Sequence, residues 1–258
     1  MEHNFKKKFG QNFLKDTNLL KAIVQDGEIN SNDEVLEIGA GAGALTEQLS
    51  VCAKKVVAYE IDNDLIEPLN NLNLKNTKFI FKDALKEPIE NIEENFCDKY
   101  KLVANLPYYI TTPLIFKFLQ ESKKIVSMTI MVQKEVAQRI VAKEGNKDYG
   151  ILSIMTQFYS QPKICRIVGK QMFYPMPNVD SAVVNLKICQ KYPEINGNDF
   201  YNFIKKCFSM RRKTLLNNLQ GYKNLSKKEI EEKLKDFDLT KRPEDFSVEK
   251  LIEMFKLI

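Results

Sequence analysis

Glycines at 39, 41 and 43 fall within EIGAGAGALT, residues 37–46, directly after the apolar run EVLEI. Glycine lets a backbone turn tightly and lets a ligand approach it closely, and the helical pattern that follows puts a helix N-terminus beyond the turn. The triplet satisfies the dinucleotide fingerprint G-x-G-x-x-G/A, although glycines serving only strand–helix packing would look the same. The next apolar run ends at Glu60, and the one after it at Asp83 in FKDAL. A carboxylate at the first position can accept hydrogen bonds from both hydroxyls of a ribose. One at the second can accept from the exocyclic amine of an adenine. Either acid alone reads as a surface charge; their recurrence at successive strand ends points to a nucleotide.

A fourth apolar run, KLVA, leads into NLPYYI, residues 105–110. A plain turn there would take Gly, Asp or Ser beside its asparagine. Pro107 fixes its own φ and biases Leu106 to an extended conformation, so the Leu106 carbonyl has a defined direction. The Asn105 side-chain oxygen is a second acceptor, and Tyr108 offers a flat face. Two acceptors and a face suit a planar amine on a ring. Such an amine is a poor nucleophile because its lone pair is delocalised. Accepting its hydrogens favours a tetrahedral nitrogen whose lone pair points at an electrophile, and no general base is needed at first. The flat group this cluster would hold is a nucleobase.

Elements must place these residues together. EVLEI (34–38), KVVAYEI (55–61), KFIF (78–81), KLVA (101–104) and SMTIMV (127–132) read as buried strands, with helical patterns at 44–51, 64–74, 112–121 and 134–143. That alternation predicts an α/β fold, a doubly wound parallel sheet with helices on both faces. AVVNLKI (182–188) is a further strand, expected at the sheet's edge. Ligands of such sheets bind beyond the carboxyl ends of the strands, where the residues above fall. After Cys189, KYPEINGND reads as a linker, and helical patterns follow at 198–209, 211–220, 226–236 and 247–256, with Ser226 and Ser247 as N-caps. The expected division is a domain over 1–189 and a small all-helical domain over 190–258.

Composition narrows the function classes. The chain has 258 residues, 44% hydrophobic and 10% aromatic, enough for a large core. No apolar stretch approaches the ~20 residues that span a bilayer, and the N-terminus lacks the apolar segment of a signal peptide. The five cysteines are scattered without a CxxC pair, which argues for reduced thiols in the cytoplasm and against a zinc site. A single histidine, His3, weakens any mechanism that requires a histidine base or a histidine–metal arrangement. The net charge of +5 is unevenly spread, because residues 205–228 hold eight Lys or Arg and no acid. Lys6, Lys7 and Lys8 form a second cluster. A polyanion is the natural partner of such patches, and a solvated helix face is the alternative.

The glycine loop, the strand-end acids and N-x-P-Y together resemble an S-adenosylmethionine-dependent amino-methyltransferase. FGQNFL (9–14), FYPMPNVDSAVV (173–184), RRKTLLNNL (211–219) and RPEDFS (242–247) narrow the likeness. With them, essentially the whole chain resembles the bacterial small-subunit ribosomal RNA adenine dimethyltransferase family, which dimethylates N6 of two adjacent adenines near the 3′ end of 16S rRNA. The resemblance implies a Rossmann-like class I methyltransferase sheet, S-adenosylmethionine as methyl donor without a metal, and a monomer acting in the cytoplasm on the small ribosomal subunit or its precursor.

Carried over by motif, Asn12 and Leu14 would help close the cofactor pocket. Gly39 would lie at the methionine end of the cofactor, Glu60 at its ribose and Asp83 at its adenine. Asn105 would serve both cofactor and target amine, and Leu106, Pro107 and Tyr108 would complete the catalytic tetrapeptide. Phe173 would stack on the target adenine opposite Tyr108, a role that asks nothing of the tyrosine hydroxyl. Arg211, Arg212 and Lys213 would bind RNA phosphates. Tyr109 stands where the family often has Asn, which bears on substrate positioning. Three other readings remain: the large-subunit (23S) rRNA dimethyltransferase type that confers macrolide resistance, an RNA-binding ribosome-assembly factor, and an NAD-dependent oxidoreductase. VDSAVV and RRKTLLNNL favour the small-subunit type over the first. The intact N-x-P-Y argues against binding alone, and its pairing with no catalytic histidine argues against the last.

Overall fold

The computed structural model of the protein describes residues 13–14, 16–189 and 191–258. In chain order the strands are β1 (Phe13–Leu14), β2 (Glu34–Ile38), β3 (Lys55–Glu60), β4 (Thr77–Phe81), β5 (Tyr100–Asn105), β6 (Ile125–Gln133), β7 (Ser160–Val168), β8 (Phe173–Tyr174) and β9 (Ser181–Ile188). The helices are α1 (Thr17–Asp26), α2 (Ala44–Cys52), α3 (Ile66–Asn70), α4 (Ile89–Glu93), α5 (Thr111–Glu121), α6 (Lys134–Val141), α7 (Ile151–Tyr159), α8 (Gly197–Cys207), α9 (Leu215–Leu219), α10 (Lys227–Lys233) and α11 (Val248–Leu257).

Seven strands form one sheet in the order β4-β3-β2-β5-β6-β9-β7. The pairs β4–β3, β3–β2, β2–β5 and β5–β6 are parallel. β-Branched and apolar residues make β2 and β3 almost wholly buried, as strands covered on both faces must be. The order turns back between β2 and β5, because β3 and β4 are laid to one side of β2 and the later strands to the other. That is a topological switch point, and it opens a crevice beyond the carboxyl ends of β2 and β5. The expected fold class therefore holds.

Details differ from the sequence reading. β9 is antiparallel to β6 and lies one strand in from the edge, where an edge strand was expected; β7 takes the edge. β7 contains Pro162, which a paired interior strand would not tolerate and an edge strand does. The helix expected over 64–74 is a 3-10 turn, Asn63–Leu65, followed by α3, and Asn73 then takes a positive φ of 50°. Three helices lacked a clear sequence signal: α1, α4 and α7. Asp16 caps α1 by accepting from Leu19 N at 3.0 Å.

Two compact units result, one of residues 1–137 and 161–189, the other of residues 138–160 and 190–258. The division expected at residue 189 thus misses residues 138–160, which join the C-terminal helices. That unit has its own aromatic core: Phe158 and Phe200 rings lie 4.7 Å apart, and Phe255 meets Phe200 at 5.5 Å and Phe203 at 5.6 Å. The helical caps expected at Ser226 and Ser247 are present, Ser226 in a reciprocal box with Glu229. The helix expected over 211–220 is confined to α9, and residues 211–213 form a turn before it.

Candidate active site

A cavity of about 400 Å³ opens in the first unit at the switch point. Its wall includes Leu14, Gly39, Glu60, Asp83, Asn105, Leu106, Pro107, Tyr108 and Phe173. Nine residues singled out from the sequence, widely spaced along the chain, thus line one space. Asn12 lies outside the described residues, as do Lys6, Lys7 and Lys8.

The glycine loop forms one wall. Gly39, Gly41 and Gly43 have φ of 80°, 56° and 86°, the left-handed region in which an L side chain is strained. A side chain at Gly43 would also drive into Leu72. Gly39 N and Ala40 N both donate to the Tyr59 carbonyl, at 2.8 and 3.1 Å, which folds the loop back over β3. Glu60 then fixes its crest. This side chain is only 5% exposed. Its carboxylate accepts from Gly41 N at 2.7 Å and from Ile61 N and Asp62 N at 2.8 Å each. A carboxylate has about four acceptor positions, so three are spent on the protein's own backbone. Sequence reasoning assigned Glu60 to a ligand and missed that it also organises the loop; a bond reaching 19 residues along the chain leaves no local signal.

Glu37, at the end of β2, is fully buried, and among the described residues neither carboxylate oxygen has a hydrogen-bond partner of good geometry, the Thr46 hydroxyl lying nearby. Burial pushes its pKa up to about 8, while the nearby Thr46 hydroxyl lowers it and the Glu60 charge raises it. It is therefore protonated at neutral pH.

Asp83 closes the third side. Its Oδ1 accepts from Leu85 N at 3.0 Å, and its backbone carbonyl accepts from Lys86 N and Glu87 N, so the acid heads a tight turn. Lys117 of α5 braces that turn from behind: its ammonium donates to the carbonyls of Ala84 (3.1 Å), Leu85 (2.9 Å) and Glu87. Burial lowers the Lys117 pKa, while Glu121, Asp83 and Glu87 raise it. Sequence reading gave no sign of this brace, since a lysine in a helix reads as solvated.

Asn105 ends β5, and Leu106, 2% exposed, turns the chain inward. The Pro107 carbonyl accepts from Ile110 N at 3.2 Å and from Thr111 Oγ1 at 3.4 Å, which starts α5 directly behind the tetrapeptide. Tyr108 is half-buried and Tyr109 is 62% exposed, both on the cavity wall. The Tyr108 hydroxyl is 2.9 Å from Ser181 Oγ, so it has a partner within the protein, of which the sequence offered no sign. Phe173 is 5% exposed and pairs with Leu14 across the β1–β8 ribbon. It belongs to the buried cluster that includes Leu14 and Val168, and it lines the cavity.

The model of the ribosomal RNA adenine dimethylase family matches residues 2–258. The chain belongs to that family. A ribosomal RNA small subunit methyltransferase A of Clostridioides difficile is 42% identical over 267 residues, covering all of this chain and 92% of the relative. A crystal structure of a dimethyladenosine transferase from Plasmodium falciparum superimposes with a TM-score of 0.82 at 28% identity, over 94% of this chain and 95% of that one. The 23S rRNA methyltransferase ErmE has the same fold, with a TM-score of 0.72 at 24% identity over 95% of this chain and 99% of that one.

This dimethylase is thus a methyltransferase of ribosomal RNA, and its donor is S-adenosylmethionine. The cavity fits that donor: the left-handed Gly39 and Gly41 leave bare backbone on its wall, and a buried carboxylate and a turn-held one stand at neighbouring strand ends. Among the described residues no group of three His, Cys, Asp or Glu could hold a metal ion, and no helix is long and apolar enough to cross a membrane.

In the second unit, Arg211, Arg212 and Lys213 are exposed on the turn before α9. Asn218, fully buried, holds that turn: its Oδ1 accepts from Ser209 Oγ (3.0 Å) and Met210 N (2.9 Å), and its Nδ2 donates to the carbonyls of Met210 (3.2 Å) and Lys213 (3.4 Å). Arg211 donates to the Lys147 carbonyl at 3.3 Å.

Proposed function

We propose that this dimethylase transfers two methyl groups from S-adenosylmethionine to N6 of each of two adjacent adenines near the 3′ end of 16S rRNA. It acts as a monomer in the cytoplasm on the small ribosomal subunit or its precursor. The observation that carries the reading is the convergence of Gly39, Glu60, Asp83, Asn105, Leu106, Pro107, Tyr108 and Phe173 on one cavity.

In this reading the glycine loop holds the methionine end of the donor, Glu60 accepts from the ribose and Asp83 from the adenine, with Asn12 and Leu14 helping to close the pocket. The bound donor supplies an electrophilic methyl on a positively charged sulfur. Asn105 Oδ1 and the Leu106 carbonyl accept the two hydrogens of the target amine in the first transfer, and one of them the single remaining hydrogen in the second, which turns the nitrogen lone pair out of the ring. Their benefit grows as positive charge develops on that nitrogen, so it is felt most in the transition state. The methylated nitrogen is strongly acidic and loses its proton to water without a dedicated base. Tyr108 and Phe173 bracket the extruded base. Arg211, Arg212 and Lys213 contact RNA phosphates, where charge rather than shape is read.

The test is transfer of labelled methyl from S-adenosylmethionine to unmethylated 30S subunits, followed by nucleoside analysis and primer extension. N6,N6-dimethyladenosine at two adjacent positions near the 16S 3′ end is the expected product. Label in 23S rRNA would replace the substrate by the large-subunit one. Binding to 30S subunits without label transfer would leave only an assembly role.

A further inference from the structure

Ser181 opens β9 opposite Gln133 of β6 and is fully buried. Its Oγ meets the Tyr108 hydroxyl at 2.9 Å. A tyrosine ring is attached to the chain at one end only, and a partner at the phenolic oxygen fixes the other. With both ends held, the plane of the ring is set. The preceding residue, Asp180, holds the start of the segment that leads to the other aromatic. Asp180 Oδ1 accepts from Lys170 N at 3.1 Å, closing the segment that runs through the turn Lys170–Met172 to Phe173. The Asp180 carbonyl accepts from Lys134 N at 3.0 Å, which anchors the dipeptide to the end of β6.

We propose that Asp180 and Ser181 form a positioning unit: Ser181 sets the tilt of Tyr108, Asp180 sets the place of Phe173, and together they fix the slot between the two rings. The proposal rests on the reading of Tyr108 and Phe173 as the faces that hold the target base. Stacking needs near-parallel planes, so a ring free to tilt binds the base almost as well yet presents its amine less often in the reactive direction. The loss belongs in kcat rather than in binding.

Single-turnover methylation of 30S subunits by Ser181→Ala, Tyr108→Phe, their double variant, Ser181→Thr, Asp180→Ala and Tyr108→Ala tests it. Ser181→Ala and Tyr108→Phe should each slow the saturated rate about five- to tenfold, the size of one lost neutral hydrogen bond. KM for subunits and affinity for S-adenosylmethionine should change less than about twofold. The double variant should be no slower than either single one, since both remove the same bond, and Ser181→Thr should regain part of the rate. Asp180→Ala should lower the rate by a smaller factor. Wild-type rates in both Ser181→Ala and Tyr108→Phe, or fully additive losses in the double variant, would overturn the positioning role while Tyr108→Ala stays impaired. A wild-type rate in Tyr108→Ala would instead remove Tyr108 from the site itself. If Ser181→Ala fails to fold, Tyr108→Phe breaks the same bond from the other side and decides alone.

Discussion

Two loops present the candidate chemistry, and in each a polar side chain gathers backbone groups that no regular element satisfies. Glu60 binds three backbone N–H groups around the glycine loop; Asn218 makes four bonds to the turn that displays Arg211, Arg212 and Lys213. The likeness ends at the ligand. Glu60 lines the cavity, so the organiser and the proposed ligand contact are one residue. Asn218 is fully buried and carries no charge, so on the basic turn the organiser and the contacts are different residues. A small-molecule pocket at strand ends has few positions to spare, and one carboxylate must do both tasks. A phosphate-binding turn needs only charge at roughly the right place, and a single amide can hold it from within. Mutation should therefore separate shape from contact on the turn and fail to separate them at Glu60.

The largest effect is expected inside the cavity. Asn105→Ala should lower the single-turnover rate on 30S subunits about 10²–10³-fold, the range for removing an acceptor or donor that acts on transition-state charge. Subunit binding should change little. A near-normal rate would remove Asn105 from the chemistry. Glu60→Ala comes next: losing charge-assisted bonds of about 1.5–3 kcal/mol should weaken S-adenosylmethionine roughly 10- to 150-fold by calorimetric titration. Because the same carboxylate holds Gly41, the melting temperature should fall in the same variant. Unchanged cofactor affinity in a variant of lowered melting temperature would show that Glu60 organises the loop without touching the ligand, and the comparison would then collapse.

Arg211, Arg212 and Lys213 changed together to Glu should weaken subunit binding about tenfold or more and leave cofactor affinity untouched. The slope of log affinity against log salt should flatten by about two to three units if all three meet phosphates. Filter binding across a salt series reads both numbers, and wild-type affinity and slope would place the RNA elsewhere. Asn218→Ala keeps every charge and removes the scaffold. Stability should drop by about 1–3 kcal/mol as the turn's backbone groups lose their partner. Subunit affinity should fall less than in the triple variant, with the salt slope nearly kept. A slope as flat as the triple variant's would mean that the turn's shape, and not its charge alone, makes the contacts.

The sequence carried the strands and their ends well, because β2, β3 and β5 are buried on both faces and read as short apolar runs. Gly39, Gly41 and Gly43 were legible for the same local reason: a left-handed backbone selects glycine at the position itself. What stayed hidden is long-range. Tyr108 and Ser181 are 73 residues apart and Lys117 and Ala84 are 33 apart, and nothing in either neighbourhood announces the partner. The helix expected over 211–220 failed because Asn218 draws Met210 and Lys213 carbonyls out of a helical ladder, a competition that periodicity does not register. β7 was passed over for its proline and charges, which are the marks of an edge strand.

A pH-dependent effect separates the two loops from a buried polar residue beside them, Glu37. Burial pushes the Glu37 pKa up to about 8 in the folded chain, against the ordinary value of 4.5 that an unfolded chain would show. Below about pH 4.5 both states hold the proton, and the group has no effect on the slope. Between about 4.5 and 8 the folded chain keeps a proton that the unfolded chain releases, so stability falls as pH rises, by at most about 1.4 kcal/mol per unit. Above 8 both states are ionised and the slope vanishes. Glu37→Gln keeps the shape and removes the titration. Its buried amide sets a constant offset, so the informative quantity is the difference between variant and wild-type melting temperatures as a function of pH. That difference should move in the variant's favour from pH 5 to pH 8 and level off beyond it. Parallel curves across the range would mean that water or Thr46 satisfies the Glu37 carboxylate as an ion, and that the folded chain holds no extra proton there.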